Sequence, residues 1–245
     1  MPEMKPRTSV AAVALLFGGL GVFSIVWVLK LFEQGRYPSM LVVAGFAVFA
    51  FAGLAMRVIL ATGSVRPRIE YDSTGTVLRP DLKVDRLSMT GAVVAFATLL
   101  LYAVGAAVGA VALPGVADQK WFALAGAIGV VIGVPSLARI ARHRGMGYLR
   151  LTPDGVEHVD PYSRVERRWD ELTELSDQPR QENFLQMAGS TYVKTADGRT
   201  RTLTSDWYTP GGLALRELMQ FYWKHPDHRV ELTDGRAARR LVAPG

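Results

Sequence analysis

The chain has 245 residues, a net charge of +6 and 49% hydrophobic residues, which is more apolar than an average soluble domain of this length. Cysteine is absent, which excludes a disulfide framework and a thiolate metal site. Most of the net positive charge arises before residue 142, beside apolar segments, and not on one face of a domain. The charge therefore does not indicate a nucleic-acid partner.

Four apolar runs dominate the first half of the chain, and none contains Lys, Arg, Asp or Glu. They cover residues 8–29, 37–56, 89–113 and 121–138. At about 1.5 Å rise per residue, about twenty helical residues cross a hydrocarbon core about 30 Å thick. The first run is longer than the apolar region of a signal peptide, so we expect it to be retained as a helix. Helices of a soluble bundle would each carry a polar face, which these runs lack. The runs therefore predict four transmembrane helices.

The spans divide the chain into two helical hairpins, at 1–61 and 89–144, a connecting loop at 62–88, and a tail at 145–245. Lys and Arg concentrate at the N-terminus, in the connecting loop and after the fourth span, with few on the opposite side. Because such residues resist translocation, both termini and the connecting loop are expected to be cytoplasmic. We expect a multi-pass protein of the inner (plasma) membrane.

The spans contain no ionisable residue at depth, whereas pumps and ion-coupled transporters usually bury one. Small residues at a spacing of four allow close helix contact. They are Gly105 and Gly109 in the third span, and Ala125, Gly129 and Gly133 in the fourth. This pattern fits either packing among the four helices of one chain or a seam between two copies.

From Gly147 the pattern changes to short strands and turns. Pro153, Asp154 and Gly155 separate two apolar stretches and predict a tight hairpin, and a second hairpin is predicted over 191–204. Between them lie a polar stretch at 176–183 and a short apolar piece at 184–188. One amphipathic helix is predicted to begin with Thr209 as N-cap and Pro210 as its first residue, and to end before Pro226.

The tail resembles the pleckstrin-homology-like (PH-like) superfold, on the residues Leu-Thr-Pro-Asp-Gly-Val at 151–156 and on Arg164, Val165 and Trp169. The resemblance covers about 147–224 and implies a small β-rich α+β domain, a barrel closed by one helix. An unrelated small barrel or an α+β sheet is the alternative. The whole layout resembles bacterial membrane proteins of actinobacterial type that carry four helices and such a tail.

A second hairpin pattern occurs earlier, in the connecting loop. Aligning Gly75 with Gly155 places Ile69 on Leu149 and Tyr71 on Leu151. The pattern is consistent with a duplication or with coincidence. A two-stranded hairpin is marginal in water, so this one is expected to pack on a sheet, and the nearest is in the tail.

No catalytic, cofactor-binding or metal-binding pattern stands out in the sequence. His225 and His228 are spaced closely enough to suggest a metal-binding pair, but Pro226 breaks the helix that would align them. Five arginines are expected to contact anionic lipid or a partner: Arg142, Arg144, Arg164, Arg167 and Arg168.

These features predict a non-enzymatic membrane protein that presents an interaction module at the cytoplasmic face. Its expected partners are membrane lipids and either another protein or a second copy of the chain. Two alternatives remain open. One is an accessory subunit of an envelope lipid or transport complex, and the other is a membrane-bound enzyme acting on lipid.

Overall fold

The computed structural model describes residues 6–113, 118–177 and 189–242. The predicted polar stretch at 176–183 lies outside these residues from residue 178 onward, and so does the predicted apolar piece at 184–188. The chain divides into two compact units. The helical unit comprises Met1–Val58 and Arg86–Gly145, and the β-rich unit comprises Ile59–Asp85 and Met146–Gly245. The connecting loop therefore belongs to the same unit as the tail.

Four long helices correspond to the four apolar runs: α1 (Pro6–Glu33), α2 (Tyr37–Ala61), α3 (Leu82–Ala107) and α4 (Gln119–His143). Each is long and apolar enough to cross a membrane. Helix α3 begins ahead of its apolar run because Asp81 precedes it as a capping residue. The Asp81 carboxylate accepts from the Lys83 backbone N–H at 2.7 Å, and its carbonyl accepts from Asp85 N–H at 2.8 Å.

Helix α3 also ends earlier than its apolar run does. Gly109 adopts a left-handed conformation with φ of 72°, and the Gly105 carbonyl accepts from the Ala110 and Val111 N–H groups at 2.7 and 3.0 Å. This geometry closes the helix C-terminus and turns the chain. Gly109 therefore lies beyond α3 and does not share a helix face with Gly105.

A five-stranded antiparallel sheet, which we call sheet A, has the order β1-β2-β3-β4-β5. Its strands are β1 (Arg68–Asp72), β2 (Gly75–Arg79), β3 (Tyr148–Leu151), β4 (Gly155–Val159) and β5 (Arg164–Arg168). The hairpin of the connecting loop contributes β1 and β2. Leu78 of β2 lies opposite Leu149 of β3, so this hairpin does pair with the sheet of the tail.

The β1–β2 and β3–β4 hairpins of sheet A have similar turns. Asp72 Oδ1 accepts from the Gly75 N–H at 3.1 Å in the first, and Thr152 Oγ1 accepts from the Gly155 N–H at 3.0 Å in the second. At each glycine, an added Cβ would overlap a carbonyl of the next strand. Both glycines are therefore required by close approach of the neighbouring strand. This likeness is compatible with duplication and with coincidence.

A three-stranded antiparallel sheet, sheet B, contains β6 (Leu172–Ser176), β7 (Thr191–Thr195) and β8 (Thr200–Leu203) in that order. The 3₁₀ turn Trp169–Glu171 separates it from β5. Trp169 is buried at this corner and donates from Nε1 to the Thr152 carbonyl at 2.8 Å. Over the described residues, sheets A and B do not close into a barrel, which differs from the predicted closed barrel.

Helices α5 (Leu213–Lys224) and α6 (Arg236–Val242) complete the β-rich unit. Helix α5 starts later than predicted because Gly211 and Gly212 both have left-handed φ, which leaves a 3₁₀ turn after Thr209. The Thr209 hydroxyl still accepts from the Leu215 N–H, at 3.3 Å. Pro226 follows the end of α5, as predicted.

The core of the β-rich unit forms between the sheets and α5, where large apolar side chains are buried. It includes Leu78, Leu149, Leu151, Trp169, Leu215, Met219 and Tyr222. The participation of Leu78 shows that the connecting-loop hairpin contributes to the same core as the tail.

Candidate functional site

The inner face of sheet A changes from apolar to polar toward β5. Strand alternation places Leu149 and Val156 on this face. His158 lies directly opposite Leu149, and Arg167 lies directly opposite Val156. The sheet therefore presents an imidazole and a guanidinium on a face that elsewhere forms the core.

The inner face of sheet B has a similar composition. A β-bulge between Leu172 and Glu174 lets Leu172 and Leu175 be buried together, although they are three residues apart. Leu175 lies opposite Val193, which in turn lies opposite Arg201 on β8. An arginine thus follows the apolar residues on this sheet as well.

A cleft of about 290 Å³ lies between the two inner faces. We refer to it as the inter-sheet cleft. Its apolar lining comprises Leu149, Val156, Val165, Leu172, Val193, Leu203 and Met219. Its polar lining comprises His158, Asp160, Ser163, Arg167, Thr195, Thr200, Arg201 and Thr202. The inter-sheet cleft therefore combines an apolar floor with several hydrogen-bonding groups.

His158 is the titratable group that the fold perturbs most clearly in this cleft. Burial lowers the pKa of His158 below 6.5; the nearby Arg201 acts in the same direction, while Asp160 opposes both. The Asp160 carboxylate accepts from the Tyr162 and Ser163 N–H groups, at 2.7 and 2.6 Å, and from the Ser163 hydroxyl at 2.9 Å. The imidazole is therefore neutral near pH 7.

The two arginines of the cleft differ in their partners. Arg167 lies 3.8 Å from a Glu171 oxygen and 3.7 Å from an Asp197 oxygen, both beyond hydrogen-bond distance. Arg201 is exposed and has no acidic side chain within ion-pair distance among the described residues. Within the described part of the chain, the Arg201 guanidinium at the inter-sheet cleft is thus not neutralised by an ion pair.

Two strand edges lie at this cleft. Within the described residues, β5 pairs only with β4, and β8 pairs only with β7. Among the described residues, no strand pairs with the outer side of β5 or β8, and such an edge is a template for an added strand. Both strands carry arginine side chains, at Arg164, Arg167 and Arg168 on β5 and at Arg201 on β8.

The structure separates the five arginines that the sequence suggested for lipid or partner contact. Arg142 lies in the last turn of α4, and Arg144 is its left-handed C-cap. Arg164 pairs with Glu157 at 2.8 Å, and Arg168 pairs with Asp170 at 2.9 Å. Of the five, only Arg167 lines the inter-sheet cleft.

Two small residues of the fourth span, Gly129 and Gly133, face helix α3 of the same chain. A Cβ on Gly133 would overlap the Phe96 ring of α3, and one on Gly129 would lie 3.8 Å from Leu99 of α3. A Cβ on Gly105 would overlap Val111, which follows α3. Ala125 is exposed. At Gly129 and Gly133 these contacts are compatible with packing among the four helices of one chain, and the contact at Gly105 is with the turn that ends its own helix.

His225 and His228 contact an aromatic ring and a buried carboxylate. The His225 ring stacks on Phe221 with 4.6 Å between centroids. His228 Nδ1 lies 3.0 Å from Glu231, which also accepts from Arg240 and from the Tyr222 hydroxyl. These contacts connect α5, the 3₁₀ segment Pro226–Leu232 and α6.

His158 and Arg201 were not among the residues that the sequence suggested for a site. A signal for His158 exists, because alternation in Gly-Val-Glu-His-Val places His158 on the same face as Val156. A polar residue on a core-facing register is informative. No sequence pattern indicates a comparable role for Arg201, because the β7–β8 register decides which residues lie beside it.

Comparisons with protein-family models, with curated proteins and with solved structures find no match to this chain.

Proposed function

We propose that this chain is a multi-pass protein of a bacterial inner (plasma) membrane whose β-rich unit is a non-enzymatic, PH-like interaction module for a protein partner in the cytoplasm. The observation that carries the proposal is the pair of arginine-bearing strand edges, β5 and β8, beside the inter-sheet cleft. An extended segment of another protein adds to such an edge through backbone hydrogen bonds.

Sheet A supports the sidedness of this proposal. Strand β2 precedes α3 and β3 follows α4, yet the two strands pair directly. A sheet cannot pair through a bilayer, so α3 and α4 must together return the chain to the same side. The concentration of Lys and Arg in the connecting loop and after the fourth span favours the cytoplasmic side.

The charge of β5 favours a different protein over a second copy of the chain. An antiparallel pairing of β5 with its own copy, centred on Glu166, would place Arg164 opposite Arg168 and the two Glu166 side chains opposite each other. Like charges directly opposite one another are destabilising. A partner strand with acidic side chains opposite Arg164 and Arg168 avoids this repulsion.

The order of elements supports the PH-like part of the proposal. Antiparallel strands in two sheets are followed by an amphipathic helix, α5, packed on the core. Peptide recognition at a sheet edge, with a neighbouring cleft for a side chain, is a mode that such modules use.

Site-specific photo-crosslinking in native membranes tests this function. Glu166 and Glu70 are both exposed, and they lie in the middle of the two opposite edge strands of sheet A. A photoreactive residue at Glu166 is expected to give one discrete protein adduct, which Arg167→Glu removes. The same residue at Glu70 is the matched control and is expected to give none.

Several outcomes would overturn the proposal. Equal adducts at Glu166 and Glu70, or no adduct at either, contradicts recognition at β5. An adduct with the mass of two chains indicates self-association, and an adduct with lipid alone indicates a lipid-linked role.

A further inference from the structure

We infer that the inter-sheet cleft binds an amphipathic anion, a carboxylate or phosphate monoester that carries a compact apolar group. The inference rests on the cleft itself and does not depend on a protein partner at β5. A cleft of about 290 Å³ is close to the lower end of the range of about 300–1,000 Å³ for ligand pockets. The ligand is therefore small.

The floor of the cleft requires an apolar group in the ligand. Leu149, Leu172 and Met219 are buried side chains that line the cleft, and Val165 and Val193 line it while partly exposed. An apolar group placed on this floor removes hydrocarbon surface from water on both partners. An inorganic anion gains nothing from these contacts.

Arg201 supplies the charge that selects an anion. Its guanidinium lies on the inner face of sheet B beside Val193, with no acidic partner within ion-pair distance among the described residues. A guanidinium binds a carboxylate or a phosphate through two parallel hydrogen bonds.

Two further groups of the cleft are placed to assist. Arg167 Nη1 donates to the Glu166 carbonyl at 3.3 Å, and the guanidinium lies 3.8 Å from Glu171 and 3.7 Å from Asp197, so part of its donor capacity remains for a ligand. His158 is neutral near pH 7, and a neutral imidazole donates one hydrogen bond. The Asp160 carboxylate accepts three hydrogen bonds within its own turn, which reduces its competition with a bound anion.

The test uses the full chain in nanodiscs of zwitterionic lipid and 4-phenylbutyrate as the probe. Ligand-observed saturation-transfer NMR measures its dissociation constant. Arg201→Gln is expected to weaken binding at least tenfold. Arg199→Gln is the matched control, because it removes the same charge from an exposed position two residues away. Arg199 lies 3.7 Å from Asp197, and this variant is expected to change the dissociation constant less than twofold. The uncharged 4-phenylbutanol is expected to bind at least tenfold more weakly.

A variant that fills the cleft gives an independent measurement. Val193→Phe is expected to abolish probe binding while the thermal unfolding midpoint is retained. If that variant fails to fold, the comparison of Arg201→Gln with Arg199→Gln still decides the inference. Equal binding by these two variants, equal binding of the acid and the alcohol, or no saturable binding overturns it.

Nanodiscs that contain phosphatidylglycerol distinguish two sources of the natural ligand. Weaker probe binding in these nanodiscs is expected if an anionic lipid headgroup competes for the cleft. Unchanged binding is expected if the natural ligand is a soluble anion. Both results support an anion site, and neither depends on the photo-crosslinking result at β5.

Discussion

At the scale of single residues, His158 and Arg201 give the inter-sheet cleft its character. Both lie on strand registers whose neighbours form the core, and a polar group at such a register carries a desolvation cost. Burial accordingly lowers the pKa of His158. A partly buried histidine whose pKa is lowered also makes stability depend on pH, which leads to a prediction that is independent of any ligand.

His158→Gln is predicted to reduce the loss of stability on acidification. Because the folded-state pKa of His158 is lowered, the unfolded chain takes up the proton first as the pH falls below about 6.5. The stabilisation is present above that pH and is lost as the pH falls toward the folded-state pKa. The charged groups that face the ring are Asp160 and Arg201.

The measurement compares thermal unfolding midpoints of the full chain at pH 7.5 and 5.5, followed by tryptophan fluorescence. The difference between the two midpoints is expected to be smaller in His158→Gln than in the parent. His225→Gln, at an exposed histidine, is the control and is expected to keep the parental difference. An unchanged difference in His158→Gln would show that this histidine is not protected from protonation.

At the scale of elements, the sequence predicted what depends on local pattern. The apolar runs predicted four helices, and Gly75 and Gly155 predicted the two hairpin turns. The packing of the first hairpin on the sheet of the tail was also predicted, because an isolated hairpin is marginal in water. The start of α5 was not predicted correctly, because Gly211 and Gly212 adopt left-handed φ values and delay the helix after Thr209.

The inter-sheet cleft could not be predicted from the sequence, for a different reason. It forms where β4 and β5 face β7 and β8, and those strands meet through long-range packing. Arg201 reaches the inner face because of the β7–β8 register. Strand alternation specifies which residues share a face, but not which two faces meet.

Leu78→Ala tests whether the connecting-loop hairpin supports the β-rich unit. Leu78 is fully buried and belongs to the same core cluster as Leu149 and Met219. Removing its side chain is predicted to cost about 2–5 kcal/mol of unfolding free energy, as for other core Leu→Ala changes. The measurement is denaturant unfolding of the full chain.

The control for this experiment lies in the same hairpin. Glu70→Ala changes an exposed residue of β1 and is predicted to alter stability by less than about 0.5 kcal/mol. If Leu78→Ala lowers the unfolding free energy no more than Glu70→Ala does, the hairpin does not share the core of the tail.

Gly133→Ala tests the packing of α4 on α3. A Cβ at Gly133 would overlap the Phe96 ring, so the variant is predicted to lose about 1–3 kcal/mol of stability through overpacking. Phe96→Ala combined with Gly133→Ala is expected to recover part of that loss, because the ring is the obstacle.

Gly19→Ala is the matched control in α1, where an added Cβ meets no atom within 4 Å. It is expected to leave thermal stability unchanged or slightly raised, because alanine favours helix more than glycine does. A Gly133→Ala variant as stable as Gly19→Ala would argue against this helix contact.

At the scale of the whole molecule, one chain forms four helices that are able to cross a membrane and a β-rich unit assembled from two separate segments. If the four helices cross a bilayer, the direct pairing of β2 with β3 requires the connecting loop and the tail to lie on the same side of it. The distribution of Lys and Arg favours the cytoplasm as that side. The central claim is therefore one of topology.

Labelling of single cysteines in intact cells tests this claim most directly. The parent has no cysteine, so Gln34→Cys, in the turn between α1 and α2, and Tyr162→Cys, in the turn between β4 and β5, each provide one exposed reporter. A membrane-impermeant maleimide is predicted to label Gln34→Cys in intact spheroplasts, and Tyr162→Cys only after lysis. Labelling of Tyr162→Cys before lysis would contradict the account.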